Sequence, residues 1–277
     1  MLDKDELEAL ESDLLLEAIY RRYGYDFRNY AQASTRRRIK LLAKETQSST
    51  ISALTEKVLH EPDFFRRVLN YMSITVSEMF RDPDFFLVLR QKVIPFLKTF
   101  PYIKVWHAGC STGEEVYSLA ILLYEEGLYE RSTIYATDFN ELALQTARQG
   151  IYPVEKIKAF TRNYERSGGS SSFSDYYHAC YESAIINQAL KKQITFANHN
   201  LVTDSVFSEV HLLMCRNVLI YFNKSLQSRA LTLFSNSLIY GGFLCLGSKE
   251  SLDFSEFDEH FSCFDRRQRI YQYKHPD

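Results

Sequence analysis

Val105-Trp106-His107-Ala108-Gly109-Cys110-Ser111-Thr112-Gly113-Glu114-Glu115-Val116-Tyr117-Ser118 reads as an apolar strand that breaks into a glycine-containing loop and then a helix. Gly109 and Gly113 permit close backbone approach, and Ser111 or Thr112 can cap the helix. The next strand-like run, Ser132 to Asp138, ends in an acid. In a doubly wound sheet an acid at that tip accepts hydrogen bonds from the ribose hydroxyls of an adenosyl ligand. No Gly-Lys-Ser/Thr follows, and Glu114 and Glu115 stand where a pyrophosphate fingerprint has its third glycine. Two carboxylates repel phosphate and suit a cation, so S-adenosylmethionine, with its sulfonium and ammonium, fits the loop. An ordinary strand-to-helix turn gives the same local pattern.

Downstream of Tyr102 apolar runs alternate with helical stretches: Ile103 to His107, Ile134 to Thr137, Ile194 to Ala197, His211 to Cys215 and Phe243 to Leu246. This alternation predicts an α/β fold with a doubly wound, mostly parallel sheet. A helix is expected from Lys224 to Tyr240, closed by Gly241-Gly242, and Arg269 to Tyr273 reads as an added antiparallel strand. About forty residues, from Ile151 to Lys192, separate the second and third strands, too many for a simple crossover. A small inserted subdomain is expected there. Its run Ser167-Gly168-Gly169-Ser170-Ser171-Ser172 reads either as a mobile substrate-facing loop or as a surface linker.

Upstream, glycine is almost absent and apolar residues recur at three and four: Leu7, Leu10, Leu14, then Ile39, Leu42, then Leu54, Val58. Glu61-Pro62-Asp63 and Asp82-Pro83-Asp84 each start a helix. The expected layout is a helical domain over 1–90, a linker over 91–103 and a ligand-binding domain over 104–277, with the insertion at about 151–192.

The 277 residues, 45% apolar and 25% charged, describe a globular chain able to bury a large core. A net charge of -2 argues against bulk nucleic-acid binding. The acidic start has no basic n-region, and no long apolar run follows, so a cytoplasmic protein without membrane insertion is expected. Cys110, Cys180, Cys215, Cys245 and Cys263 are widely spaced, which points to reduced thiols and away from a metal site. Polar residues follow two strands, in Asn198-His199-Asn200-Leu201 and Cys215-Arg216-Asn217-Val218, at the edge where open α/β sheets bind ligands.

Five stretches in order resemble the CheR family of chemotaxis methyltransferases: Thr75 to Pro83, Ala108 to Ser118, Ala136 to Asp138, His199 to Leu201 and Cys215 to Phe222. The helical start resembles that family's N-terminal domain, so nearly the whole chain is covered. The resemblance implies a class I methyltransferase-like domain that uses S-adenosylmethionine and releases S-adenosylhomocysteine. The acceptor it implies is a glutamate carboxylate of a protein, usually a methyl-accepting chemoreceptor. It carries cofactor contacts onto Thr75, Ser77, Arg81, Glu115, Asp138, Asn200, Leu201, Asn217 and Val218, and roles near the transferred methyl onto Arg81 and Tyr221. Family members commonly have Asn where Thr75 stands and Thr where Ser77 stands.

The basic residues Arg28, Arg36, Arg37, Arg38, Lys40 and Lys44 cluster around one predicted helix, and Arg36, Arg37, Arg38 and Lys40 are the expected docking face for an acidic protein partner. Residues 151–192 occupy the position of a family subdomain that grips a receptor's terminal peptide, and no gripping motif is recognised in them. A monomer is expected. The alternatives are a small-molecule methyltransferase and a non-catalytic S-adenosylmethionine-binding signalling module.

Overall fold

The computed structural model describes residues 2–73, 77–253, 255 and 257–274, with the backbone alone at 258. It divides into two compact units, Met1–Ile74 with Ile220–Arg229, and Thr75–Leu219 with Ala230–Asp277. The expected boundary near residue 90 therefore falls inside the second unit.

The first unit is built on four helices: α1 (Lys4–Tyr23), α2 (Gln32–Glu45), α3 (Ile51–His60) and α4 (Pro62–Met72). Asp3 caps α1 by accepting the Glu6 N–H at 2.8 Å while Glu6 returns the bond to the Asp3 N–H, a reciprocal capping box. α1 buries Leu15, Leu16 and Ile19, whereas Leu7, Leu10 and Leu14, the residues whose spacing announces the helix, are 46–55% exposed. The period was legible and the buried face was not, because Leu14 to Leu16 offers two overlapping stripes. Ile39 and Leu42 of α2, Leu54 and Val58 of α3, and Phe65 and Val68 of α4 close the core.

The second unit begins with α5 (Pro83–Val88), which runs through a wider turn at Leu89–Val93 into α6 (Ile94–Leu97). Val93, Ile94 and Leu97, from the stretch expected as a linker, are fully buried. Then come β1 (Ile103–Ala108), α7 (Glu114–Glu125), β2 (Ser132–Asp138), α8 (Glu141–Gln149), β3 (Ile151–Pro153), α9 (Ile157–Arg166), β4 (Tyr177–Cys180), β5 (Ser183–Ile186), β6 (Ile194–Asn198) and β7 (Val210–Cys215). The chain ends with α10 (Lys224–Ser237), β8 (Leu238–Leu246), β9 (Phe261–Asp265) and β10 (Ile270–Tyr273). The main sheet has the order β6-β2-β1-β7-β8-β10-β9, parallel from β6 to β8 and antiparallel at β10 and β9.

From β1 the chain winds outward through β2 to β6, then returns to β7 on the other side. Order therefore reverses between β1 and β7, and the crevice at their carboxyl ends is where such sheets take ligands. The core fits this place. Val105 and Trp106 of β1 and Val116 to Leu123 of α7 are fully buried, and Trp106 Nε1 donates to Thr137 Oγ1 at 2.8 Å.

Two expectations are corrected here. Gly241-Gly242 does not close a helix: α10 stops at Ser237, and the pair lies inside β8, where the register against β7 shifts between Val210 and Leu212. A glycine pair serves a strand bulge as well as a helix end, and the apolar residues on either side draw it into the sheet. The run 167–172 is likewise no loose linker. The Ser170 N–H and Oγ both donate to Glu125, at 2.9 and 3.0 Å, and the Ser171 N–H donates to the Tyr164 hydroxyl at 3.0 Å. A Cβ on Gly169 would fall 2.2 Å from a Tyr164 ring carbon, so the chain lies directly on that ring. The rest of the insertion is a small antiparallel sheet, β3-β5-β4, with α9 beside it.

Candidate functional site

At the carboxyl end of β1 the chain turns at once. The Gly109 and Cys110 N–H groups both donate to the Thr137 carbonyl at 2.8 Å, stitching the loop to the end of β2. Gly109 has φ +73°, and a Cβ there would sit 2.6 Å from Val218 Cγ2, so only glycine lets the loops after β1 and β7 approach this closely. Ser111 then takes φ 51° and its N–H donates to Asp138 Oδ2 at 2.8 Å. The other carboxylate oxygen accepts the Asn140 N–H at 2.9 Å. Burial pushes the Asp138 carboxyl up, and the backbone N–H groups of Asn140, Ser111 and Phe139 oppose that shift.

Beside this loop lies a buried ionic knot that the sequence did not announce. Arg216, just after β7, donates to Glu115 Oε2 and to Asp82 Oδ2, each at 2.7 Å, and to the Arg81 carbonyl at 3.3 Å. Its guanidinium lies 4.0 Å from the centre of the Phe85 ring. The other Glu115 oxygen is 3.2 Å from His107 Nε2. Burial opposes ionisation of Glu115, yet Arg216 and His107 together hold its carboxyl below the usual range. The usable signal was an arginine inside a strand end otherwise made of apolar residues: such a group is buried only when paired.

Glu114 differs from its neighbour. It accepts the Thr112 hydroxyl at 2.6 Å, Ser77 bonds its carboxyl, and Lys156 is 3.9 Å away. Burial nonetheless raises its carboxyl. The thiol of Cys110 is pushed well up by burial and then by Asp138, which argues against a thiolate nucleophile in this loop.

Of the sequence-derived site residues, Asp138, Asn217, Val218, Asn200 and Leu201 lie at strand ends of one sheet edge. The His199 N–H donates to the Asp138 carbonyl at 3.2 Å, which sets the start of the β6 loop beside the β2 tip. Asn200 turns inward on itself: its side-chain oxygen accepts the Val202 N–H at 2.9 Å, and its own N–H goes to Asp204 at 2.9 Å. Leu201 is buried. Asn217 has φ 61°, and its N–H donates to Glu250 at 3.0 Å. Two buried atoms at this edge, Ser111 Oγ and Asn217 Oδ1, have no protein partner among the described residues. Orphaned buried polar atoms beside an acid and a glycine turn suit a polar ligand. Thr75 lies outside the described residues.

Arg81 lines a cleft of about 510 Å³ with Asp84, Arg166 and Arg267, and its charge helps hold the nearby Glu115 carboxyl low. Tyr221 belongs to the helical unit, where Arg38 lies over its ring at 5.3 Å. Arg38 also donates to the Met72 carbonyl at 2.7 Å, so it is committed inward. Lys40 pairs with Glu8 at 2.5 Å, and Arg28 with Asp26 and Glu17 at 2.8 and 2.9 Å. Arg36 is half-buried, and Arg37 and Lys44 stand exposed. Among the described residues no helix is long and apolar enough to cross a membrane.

Two family descriptions match the chain: the CheR methyltransferase SAM binding domain over residues 75–270 and the CheR methyltransferase all-alpha domain over residues 10–73. A Pseudomonas putida protein named "Putative methyltransferase Cher3" is 56% identical over 263 residues, 95% of this chain and 96% of its own. A chemotaxis protein methyltransferase of Listeria innocua is 30% identical, over 88% of this chain and 91% of its own. Chemotaxis protein methyltransferase 1 of Vibrio cholerae is 31% identical, over 80% and 82%.

Proposed function

We propose, from the premise that this chain belongs to the CheR methyltransferase family and binds S-adenosylmethionine, that it methylates glutamate side chains of a protein in the cytoplasm, the cytoplasmic region of a chemoreceptor. Relatives named for chemotaxis methylation, matched over most of their length, support the protein acceptor. The observation that carries the reading is the join of the glycine loop to Asp138, made by the Ser111 N–H at 2.8 Å.

The Asp138 carboxylate, held by the backbone N–H groups of Ser111, Asn140 and Phe139, keeps acceptor capacity for a ribose hydroxyl. Ser111 Oγ and Asn217 Oδ1 offer further polar contacts, with Leu201 and Val218 as apolar walls. Glu115, kept ionised by Arg216 and His107, holds a fixed negative charge beside the loop, complementary to a cationic ligand. Ser77, Thr75, Asn200 and Arg81 are the remaining proposed contacts. When bound, S-adenosylmethionine supplies an electrophilic methyl group on a sulfonium.

A glutamate acceptor, with an unperturbed pKa of about 4.3, is already an anion at neutral pH, so no residue need act as a general base. The protein's task is to orient and desolvate. Arg81 steers the incoming carboxylate, and Tyr221, its ring held under Arg38, orients it with the phenol. Arg36, Arg37, Arg38 and Lys40 form the proposed docking face, in which Arg37 and Lys40 are exposed, Lys40 paired with Glu8, and Arg38 positions Tyr221. Incubation with labelled S-adenosylmethionine and chemoreceptor cytoplasmic fragments should place base-labile label on glutamates. Label in no protein fragment would overturn the assignment.

A further inference from the structure

Apart from Arg81, the 510 Å³ cleft is lined by side chains to which no cofactor contact is assigned. Two guanidiniums reach it from separate elements, Arg166 from the end of α9 and Arg267 from the turn between β9 and β10. Both aim at one carboxylate, Asp84, at 3.8 and 3.7 Å. These spacings are ion pairs longer than a hydrogen bond, and the side chains are 59% and 84% exposed, against 52% for Asp84. Such pairs are weakly held and exchange readily with solvent or with another carboxylate.

Of the other lining side chains, Glu78 and Arg81 add one charge of each sign, which leaves Arg166 and Arg267 facing Asp84, while Asp82 and Asn163 are committed elsewhere. Asp82 is held by the buried Arg216, and Asn163 donates to the Met79 carbonyl at 3.1 Å. The cleft also lies on the reactive edge of the sheet: Ser248 follows the carboxyl end of β8, and the Arg81 carbonyl is bonded to the arginine that fixes Glu115.

We infer that this cleft binds an acidic side chain of the protein substrate flanking the glutamate to be methylated, with Arg166 and Arg267 exchanging Asp84 for the substrate carboxylate. The inference rests on the protein-glutamate reading above and names how such a substrate is selected. Asp84 acts as an internal competitor that keeps the two arginines together and weakens every acidic substrate by its own occupancy. Opposite signs follow for two exposed substitutions. Arg267→Glu weakens an acidic peptide about tenfold by losing one attraction and adding one repulsion, whereas Asp84→Asn strengthens it about threefold.

The test uses the full-length protein and two fluorescein-labelled peptides, one with a central glutamate flanked by glutamates and one flanked by glutamines. Binding is read by anisotropy and transfer by base-labile methyl ester, with S-adenosylmethionine affinity measured for each variant. The expected result is the opposed pair of shifts for the acidic peptide only, at constant cofactor affinity and unchanged melting. Acidic-peptide binding and KM within twofold of wild type in both variants, while esters still form, removes the cleft and leaves the methylation reading standing. Opposed shifts in binding with ester on no glutamate of any peptide or receptor fragment keep the cleft and remove that reading.

Discussion

The loop at 109–113 and the run at 167–172 both bring glycine and serine against a carboxylate, Asp138 in the first and Glu125 in the second. Asp138 meets backbone donors at 2.8 and 2.9 Å, one on each oxygen, and burial still pushes it up. Glu125 receives Tyr164, Tyr176, the Ser170 N–H and Oγ, and Arg90. A carboxylate has about four lone-pair sites, so Glu125, with five donors, is saturated, whereas Asp138, with the backbone N–H groups of Ser111, Asn140 and Phe139, keeps room for one more. One loop is built to accept something further, and the other is closed. Composition alone could not separate them, since both read as glycine and serine next to aromatic residues.

The sharpest way to break this contrast is Glu125→Ala. It strips five donors and leaves Arg90 with Glu126 alone, which should cost about 3–5 kcal/mol of stability in urea unfolding, with cofactor affinity of the folded protein retained. Asp138→Ala should do the reverse. Cofactor affinity falls at least tenfold, as expected of about 1.5–3 kcal/mol for bonds to a charged group, and calorimetry checks it. Its unliganded stability at neutral pH should fall less than that of Glu125→Ala, because the lost backbone bonds are offset in part by removing a native carboxyl raised above its unfolded value, which loses stability as pH climbs through the two values.

The acid limb sharpens the same comparison. Burial works against the charge of Glu125, and its hydrogen bonds and Arg90 override it to hold the carboxyl below the ordinary range. Its contribution is complete above the unfolded pKa and disappears as pH falls through the folded one. Glu125→Gln should flatten the stability profile in that window, while Asp138→Asn leaves the limb in place. The smallest effect belongs to Tyr164→Phe, which removes one donor to Glu125 and the acceptor of the Ser171 N–H, for about 1.5–3 kcal/mol, read as a fall in Tm.

The parallel sheet was legible because β1 and β7 are buried on both faces over most of their length and β2 carries the β-branched and aromatic residues of a strand. Asp138 was legible because it ends such a run. Arg216 and His107 were quoted and given no role: Arg216 pairs with Glu115 across 101 residues, and the eight residues from His107 to Glu115 run from a strand to a helix, so neither pair leaves a local pattern. β9 was missed altogether: Phe261 to Asp265 is a largely exposed edge strand, with only Phe261 buried, so no alternation marks it. The basic helix looked like an unbroken cationic face because sequence cannot reveal that Arg38 folds over Tyr221 or that Glu8 takes Lys40.

The chain carries a single tryptophan, and Trp106 sits fully buried with its indole nitrogen bonded to the strand that ends in Asp138. Intrinsic fluorescence excited at the red edge of the protein spectrum therefore watches one place only, the seam between β1 and β2. A blue emission maximum that reddens on denaturation times the opening of that seam without any label, and leaves the helical unit optically silent.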